Sequence, residues 1–348
     1  MSNKGDFSRN SELDNCTFVK TFLMLLVVID HSASFWTGKW FTHNPAFSAA
    51  ILSSLSAVLN PVHITGFALV SGYLFCFLKY EKGKYEKWWP FIINKAKRLL
   101  VPYAFVSIIW VIPLSQPFFL WDAKTIVYKY LLGTAPSQLW FLLMLFCVFM
   151  LCYLLSDFFR KHTIYGAIVI MLIYGVGLIG KTAAPNYLQM FTACSYMPLF
   201  WIGFKMRQYG SEELHRLHPL VWIAGYLIIF VVTSYVQRFD GLFFTLLHLG
   251  LRFLLNVVGA SMAFVILQKL ANRIRWKESE VFKCLSKNAM AIYLFHQQVI
   301  YLFIHWLNGM VNPYIHAVIN FLGSLAISLL ISSLLMKFKL TRALVGEK

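Results

Sequence analysis

The chain has 348 residues, of which 59% are hydrophobic and only 13% charged, and its mean hydropathy is +0.65. A soluble protein needs about twice that charged fraction to cover its surface, so soluble domains are excluded and the apolar surplus belongs in lipid. The 31 Lys and Arg against 14 Asp and Glu leave a net charge of +17. In a soluble chain that would point to nucleic acid; in a membrane chain, basic residues collect in cytoplasmic loops.

Ten apolar segments approach the roughly 20 residues that a bilayer crossing requires: 18–36, 47–78, 91–112, 138–159, 163–180, 188–206, 217–236, 243–268, 286–307 and 313–336. The second is too long for one straight crossing. Pro61 is expected to divide it into a tilted or re-entrant 47–60 and a crossing 61–78. The longest connection, 113–137, is aromatic and carries Pro113, Pro117 and Pro136. With both termini in the cytoplasm, 25 of the 31 basic residues fall in inward loops, from Lys4 to Lys348, and 6 fall outside. That asymmetry supports an all-α, polytopic integral membrane protein of about ten transmembrane helices. Residues 1–348 then form a single membrane-embedded domain, with cytoplasmic tails at 1–17 and 337–348. It also removes any need for a nucleic-acid partner.

The six cysteines include no CxxC pair and imply no disulfide framework. The first 16 residues are polar and mixed in charge, so no cleavable signal peptide is expected. His215 and His218, spaced HxxH, fall in a short loop, and no metal site is expected there.

Ionisable groups inside spans are costly and mark function by default. His31 and Lys20 are eleven residues apart, close to three helical turns, so they share a face with a height difference of roughly 16 Å. Imidazole is suited to take a proton from a hydroxyl near neutral pH. Spacing alone leaves open a His bonded to a neighbouring backbone carbonyl. Asp30 points about 100° away from His31 on a helix, so it is expected to pair elsewhere, with Arg252 a candidate of similar depth. Lys95 and Arg98 are i,i+3 and share a face, which suits phosphate groups of a cytoplasmic anion; an ordinary basic flank is the simpler reading. No nucleophile elbow or Walker loop is present.

At these residues the chain resembles a known family. The stretch Asp14-Asn15…Lys20…Val27-Val28-Ile29-Asp30-His31 resembles the first span of the acyltransferase-3 family, closest to its fucose 4-O-acetylase-like sugar O-acetyltransferases. Pro61-Val62-His63…Ser71-Gly72-Tyr73, Lys95-Ala96-Lys97-Arg98 through Pro102-Tyr103, and Leu139-Trp140-Phe141-Leu142 resemble three further blocks in order. Ser286-Lys287-Asn288 through Ile292-Tyr293-Leu294-Phe295-His296 resembles the last. The departures are Lys20 where many relatives carry Arg, Lys95 in place of the first Arg of its block, and His63 and Thr65 in place of apolar residues.

The resemblance implies an O-acyltransferase that moves an acyl group from cytoplasmic acetyl-CoA or another acyl-CoA to a glycan or lipid-linked sugar. It implies no metal and no nucleic acid. The expected location is a cell membrane, the bacterial cytoplasmic membrane. It assigns His31, with Asp30, to catalysis and Lys20, Lys95 and Arg98 to the CoA. Trp140, Ser71, Arg252, Tyr293 and His296 are candidates to contact the reacting groups, the last three as oxyanion stabilisers. Trp40, His43 and Trp121 are further rings that could stack on sugars. A transporter using Asp30 and His31 as a proton relay is the alternative, and a non-catalytic membrane subunit a third possibility.

Overall fold

The computed structural model describes residues 4–210 and 212–346. Among them are helices and no strands. Met1–Asn3 and Glu347–Lys348, assigned above to cytoplasmic tails, lie outside the described residues. Ten long helices occupy the ten expected segments: α1 Lys4–Ser34, α2 Ala50–Cys76, α3 Trp88–Val106, α4 Trp140–Lys161, α5 Thr163–Ala183, α6 Met190–Tyr209, α7 Pro219–Val236, α8 Leu242–Arg273, α9 Ala289–Leu307 and α10 Pro313–Leu335. Helix α1 starts well before the apolar run, so residues 4–17 are helical. Eight of the ten are long and apolar enough to cross a membrane; α6 and α9 are not among them. Both have the length for a crossing, with 20 and 19 residues, but Lys205 and Arg207 in α6, and His296, Gln297, Gln298 and His305 in α9, lower their apolar content.

Helix α5 leaves Ile164, Ile168, Leu172, Val176 and Ile179 exposed. This spacing puts a large apolar stripe on one face, and such a stripe has no place in water. The chain is a multi-pass membrane protein.

The chain divides into two compact units. The first comprises the residues up to Val27, Ala57–Glu81 and Leu199–Ser286. Here α2 and α6 meet through glycine: a Cβ on Gly72 would overlap the Phe200 carbonyl, and one on Gly203 the Leu69 carbonyl. Close backbone approach through small residues is a general way of packing membrane helices. Pro61 does not divide α2, which runs unbroken from Ala50 to Cys76 and on through a π turn at Phe77–Glu81. A proline removes the N–H that would reach the carbonyl four residues back, here Ala57; one residue on, the Val58 carbonyl accepts from the Tyr226 hydroxyl at 2.6 Å. Arg207 holds Glu81 through two hydrogen bonds of 2.6 Å and the Tyr73 hydroxyl at 3.0 Å, while Tyr73 donates to Glu12. Tyr73 of the Ser-Gly-Tyr block is therefore part of an ionic lattice, and Gly72 a packing residue.

The second unit comprises Val28–Ser56, Lys82–Pro198 and the residues from Lys287 onward. Helix α3 packs on α4, and α9 along α10. Phe35, Trp36, Leu52, Ile300, Ile304 and Ala317 form a buried cluster that fixes the end of α1 against α9 and α10. The 113–137 connection is not a plain loop. It holds short helices at Ile112–Phe119 and Ala123–Ile126 and a π turn at Val127–Leu131.

Candidate active site

His31 lies in the last turn of α1, which ends at Ser34 and passes through a 3-10 turn to Gly38 at φ +72°. A Cβ is disfavoured at that dihedral, so the glycine lets the chain leave the helix there. The partner of His31 comes from α9: its Nδ1 lies 2.8 Å from His296 Nε2, with the rings 5.0 Å apart and inclined by 19°.

The direction of this hydrogen bond follows from the other side of His296. Its Nδ1 lies 2.9 Å from both the Ile292 and the Tyr293 carbonyl oxygens. Carbonyls only accept, so His296 Nδ1 carries the hydrogen and donates. In the neutral ring Nε2 is then the acceptor, and His31 Nδ1–H donates to it. The lone pair of His31 therefore resides on Nε2. His296 is fully buried, so its orientation is fixed by packing as well as by the two carbonyls. Holding one ring nitrogen so that the other is presented in one tautomer is how proteins set the chemistry of an imidazole.

Asp30 is 2% exposed and accepts from the Ser56 hydroxyl at 2.6 Å, with the Ser34 hydroxyl 3.3 Å away. The Tyr293 hydroxyl donates to the Gln138 carbonyl, anchoring α9 to the turn that precedes α4. Trp140 lies 5.9 Å from the Tyr196 ring.

Around the His pair is a set of buried neutral amides. Gln138 Nε2 donates to Gln298 Oε1 at 2.7 Å and to the Leu294 carbonyl at 3.1 Å, and Gln298 Nε2 donates back to Gln138 Oε1 at 3.1 Å. Gln297 Nε2 donates to the Ser137 hydroxyl at 3.0 Å and to the Tyr301 hydroxyl. Ser137 adopts φ +51°, a left-handed conformation that costs a non-glycine residue about 1–2 kcal/mol. Trp40 closes the group, 5.4 Å from the His31 ring and 5.1 Å from Tyr301. A search for ionisable groups in spans passes over this set. The signal that finds it is the Gln297–Gln298 pair inside an apolar segment, where each unpaired amide would be costly.

Lys95 and Arg98 are also in this unit. The Lys95 ammonium sits 3.5 Å from the Phe149 ring centroid and 5.2 Å from that of Tyr85, a cation–π arrangement. Burial pushes the Tyr85 hydroxyl above its ordinary pKa, and the charge of Arg98 pulls it partly back. Arg98 itself is exposed. The tail helix Lys339–Leu344 packs on α3, where a Cβ on Gly346 would lie 3.0 Å from the Arg98 carbonyl oxygen. Lys20, Ser71 and Arg252 belong to the first unit. Lys20 is half-buried on α1, Ser71 is half-buried beside Gly72, and Arg252 is exposed on α8.

An imidazole presented in one tautomer at the end of a buried helix is equipped to accept a proton from a hydroxyl. The acyltransferase domain family matches residues 13–337, nearly the whole chain. The chain belongs to the acyltransferase-3 family. No curated protein and no solved structure matches it. Both histidines, the amide set and the Lys95–Arg98 segment lie within the matched residues of this membrane acyltransferase, whereas the tail helix packed on α3 lies beyond them.

Proposed function

We propose that this membrane acyltransferase moves an acetyl or similar short acyl group from cytoplasmic acyl-CoA to a hydroxyl of a cell-surface or lipid-linked glycan, with His31 as general base. The observation that carries this reading is the hydrogen bond from His31 Nδ1 to His296 Nε2, which leaves the His31 lone pair on Nε2. In the reaction, Nε2 takes the proton of the acceptor hydroxyl as its oxygen bonds to the thioester carbonyl carbon. The carbon–sulfur bond then breaks, and the departing thiolate takes the proton back from His31. The products are the O-acyl ester and the free CoA thiol, and the histidine returns to its starting state.

His296 acts through His31 as a positioning residue: its two carbonyl contacts hold it as an acceptor, and the imidazolium formed on His31 shares its Nδ1 hydrogen with it. Exposed Arg98, with Lys95 beside it, suits the phosphates of the donor.

The test is transfer of label from radiolabelled acetyl-CoA to glycan by the purified protein. His31→Ala should lower transfer by about 10²–10⁴, the usual contribution of a general base, with insertion and melting temperature retained. Near-normal transfer by a folded His31→Ala protein would move the chemistry elsewhere. Glycan movement without label transfer would favour a transporter.

A further inference from the structure

In the second unit a row of aromatic rings leads away from His31. Trp40 contacts His31, Tyr301 contacts Trp40, Phe119 lies 5.7 Å from Tyr301, and Trp121 stacks on Phe119 at 5.0 Å. At the far end the Lys129 ammonium sits over the Trp121 ring, 4.6 Å from its centroid.

Lys129 is half-buried, and burial holds its pKa below the ordinary lysine value. An ammonium drawn out of water normally has a carboxylate to compensate, and among the described residues Lys129 has none. The nearest acid in sequence, Asp122, is exposed and accepts from the Thr125 backbone N–H at 2.8 Å as a helix cap. Beside Lys129, Tyr130 is 5% exposed, with its ring 5.7 Å from Trp121. Its buried hydroxyl has no hydrogen-bond partner among the described residues. The same holds for Gln116 Oε1, whose amide nitrogen donates to the Trp121 carbonyl at 2.7 Å.

The backbone at this end is held in an unfavourable conformation. Leu120, immediately before Trp121, adopts φ +48° and ψ +44°, and its N–H donates to the Gln116 carbonyl at 3.0 Å. A left-handed non-glycine residue is retained where its surroundings over-determine it, and such residues cluster at ligand sites. Here it fixes the ring that carries the lysine.

We propose that Lys129 and Tyr130, held against Trp121, form a subsite for an anionic group on the glycan acceptor. The acceptor lies along the aromatic row, with its reacting hydroxyl at His31 and its carboxylate or phosphate at Lys129. The anion supplies the counter-charge that Lys129 lacks, and the Tyr130 hydroxyl donates to it. This rests on the glycan-acceptor reading above.

The experiment uses the full chain, purified in detergent, and three acceptors: a neutral oligosaccharide, its uronic-acid counterpart and a lipid-diphosphate-linked sugar. Binding of each is measured without donor, and transfer is measured with radiolabelled acetyl-CoA. The expected result is preference for at least one anionic acceptor, weakening as salt is raised. Which one is preferred separates a carboxylate from a phosphate.

Lys129→Gln should raise KM for that acceptor about tenfold, as loss of one charge-assisted contact predicts, with kcat little changed. Lys129→Arg should recover part of the loss. Tyr130→Phe should also raise this KM, whereas removal of a hydroxyl that is merely buried would leave it unaltered. Lys124→Gln, an exposed lysine of the same segment, should leave the preference intact. Equal use of neutral and anionic acceptors, or a Lys129→Gln protein with unchanged acceptor KM and binding, would overturn the subsite while leaving the acyltransferase reading standing. Absence of transfer to every glycan would overturn that reading itself.

Discussion

The His31–His296 contact makes a demand that packing alone does not. Replacing His296 with Ala leaves the His31 Nδ1–H without its acceptor at 2.8 Å. Orphaning a donor in this part-buried position costs about 1–3 kcal/mol, and in the proposed reaction the cost falls on the orientation in which Nε2 faces the acceptor hydroxyl. At about 1.4 kcal/mol per factor of ten, kcat should fall by about 10–100-fold, less than for His31→Ala. KM for acyl-CoA should hold, because in the proposed reaction His296 acts through His31 and not on the donor. His296→Gln should recover much of the loss, since a Gln amide oxygen can accept from His31 Nδ1–H.

The assay is the initial rate of label transfer, with kcat and KM separated and melting temperatures recorded for each variant. Residues that act as a unit are non-additive, so His31→Ala/His296→Ala should be no slower than His31→Ala. Three results would refute the pairing: a folded His296→Ala protein within about twofold of wild type, equal losses for Ala and Gln, or a double variant whose losses multiply.

Two further outcomes are expected. Arg98→Ala should raise KM for acyl-CoA by about tenfold, the loss of one charge-assisted contact, and Lys97→Ala should do so by much less; equal effects would reduce the Lys95–Arg98 segment to a basic flank. Gly72→Ala should destabilise by about 1–3 kcal/mol through overpacking against the Phe200 carbonyl, seen as a lowered melting temperature, whereas Gly175→Ala, where an added Cβ meets nothing within 4 Å, should be neutral or stabilising.

The ten helices were legible because an apolar run of crossing length has few alternatives, and each expected segment is helical. Pro61 misled, because a proline's local effect depends on how the surrounding helices pack against it, and α2 continues through it. Tyr226, which bonds the Val58 carbonyl just before Pro61, comes from 168 positions away, and nothing in the local pattern reveals that contact. The 100° offset separating Asp30 from His31 was legible, since it needs only helical geometry. The partner of His31 was not: His296 stood out as an ionisable group in a span and as part of a recognisable block, but its pairing spans 265 positions. The Lys95 ammonium was legible as a charge but not as the occupant of a ring cluster drawn from Tyr85, Phe91 and Phe149.

Helix α9 shows why the polar residues and the chemistry coincide. Its run from Ala291 to Tyr301 is buried throughout, and a helix in that position could be wholly apolar at lower cost. It carries instead an imidazole, two amides and two phenols, and each is given a role by a neighbour: His296 by two carbonyls and His31, Gln297 by Ser137 and Tyr301, Gln298 by Gln138, and Tyr293 by the Gln138 carbonyl. A fully satisfied buried network is rigid, because moving any member leaves an unpaired group in a low dielectric. Rigidity in α9 passes to His31 through the His296 hydrogen bond, so neutral groups on another helix help to set the position of the proposed base. Asp30, the one acid beside it in sequence, faces its serines instead. Substitutions that loosen the amide set, such as Gln138→Leu, should therefore lower kcat through His296 and His31.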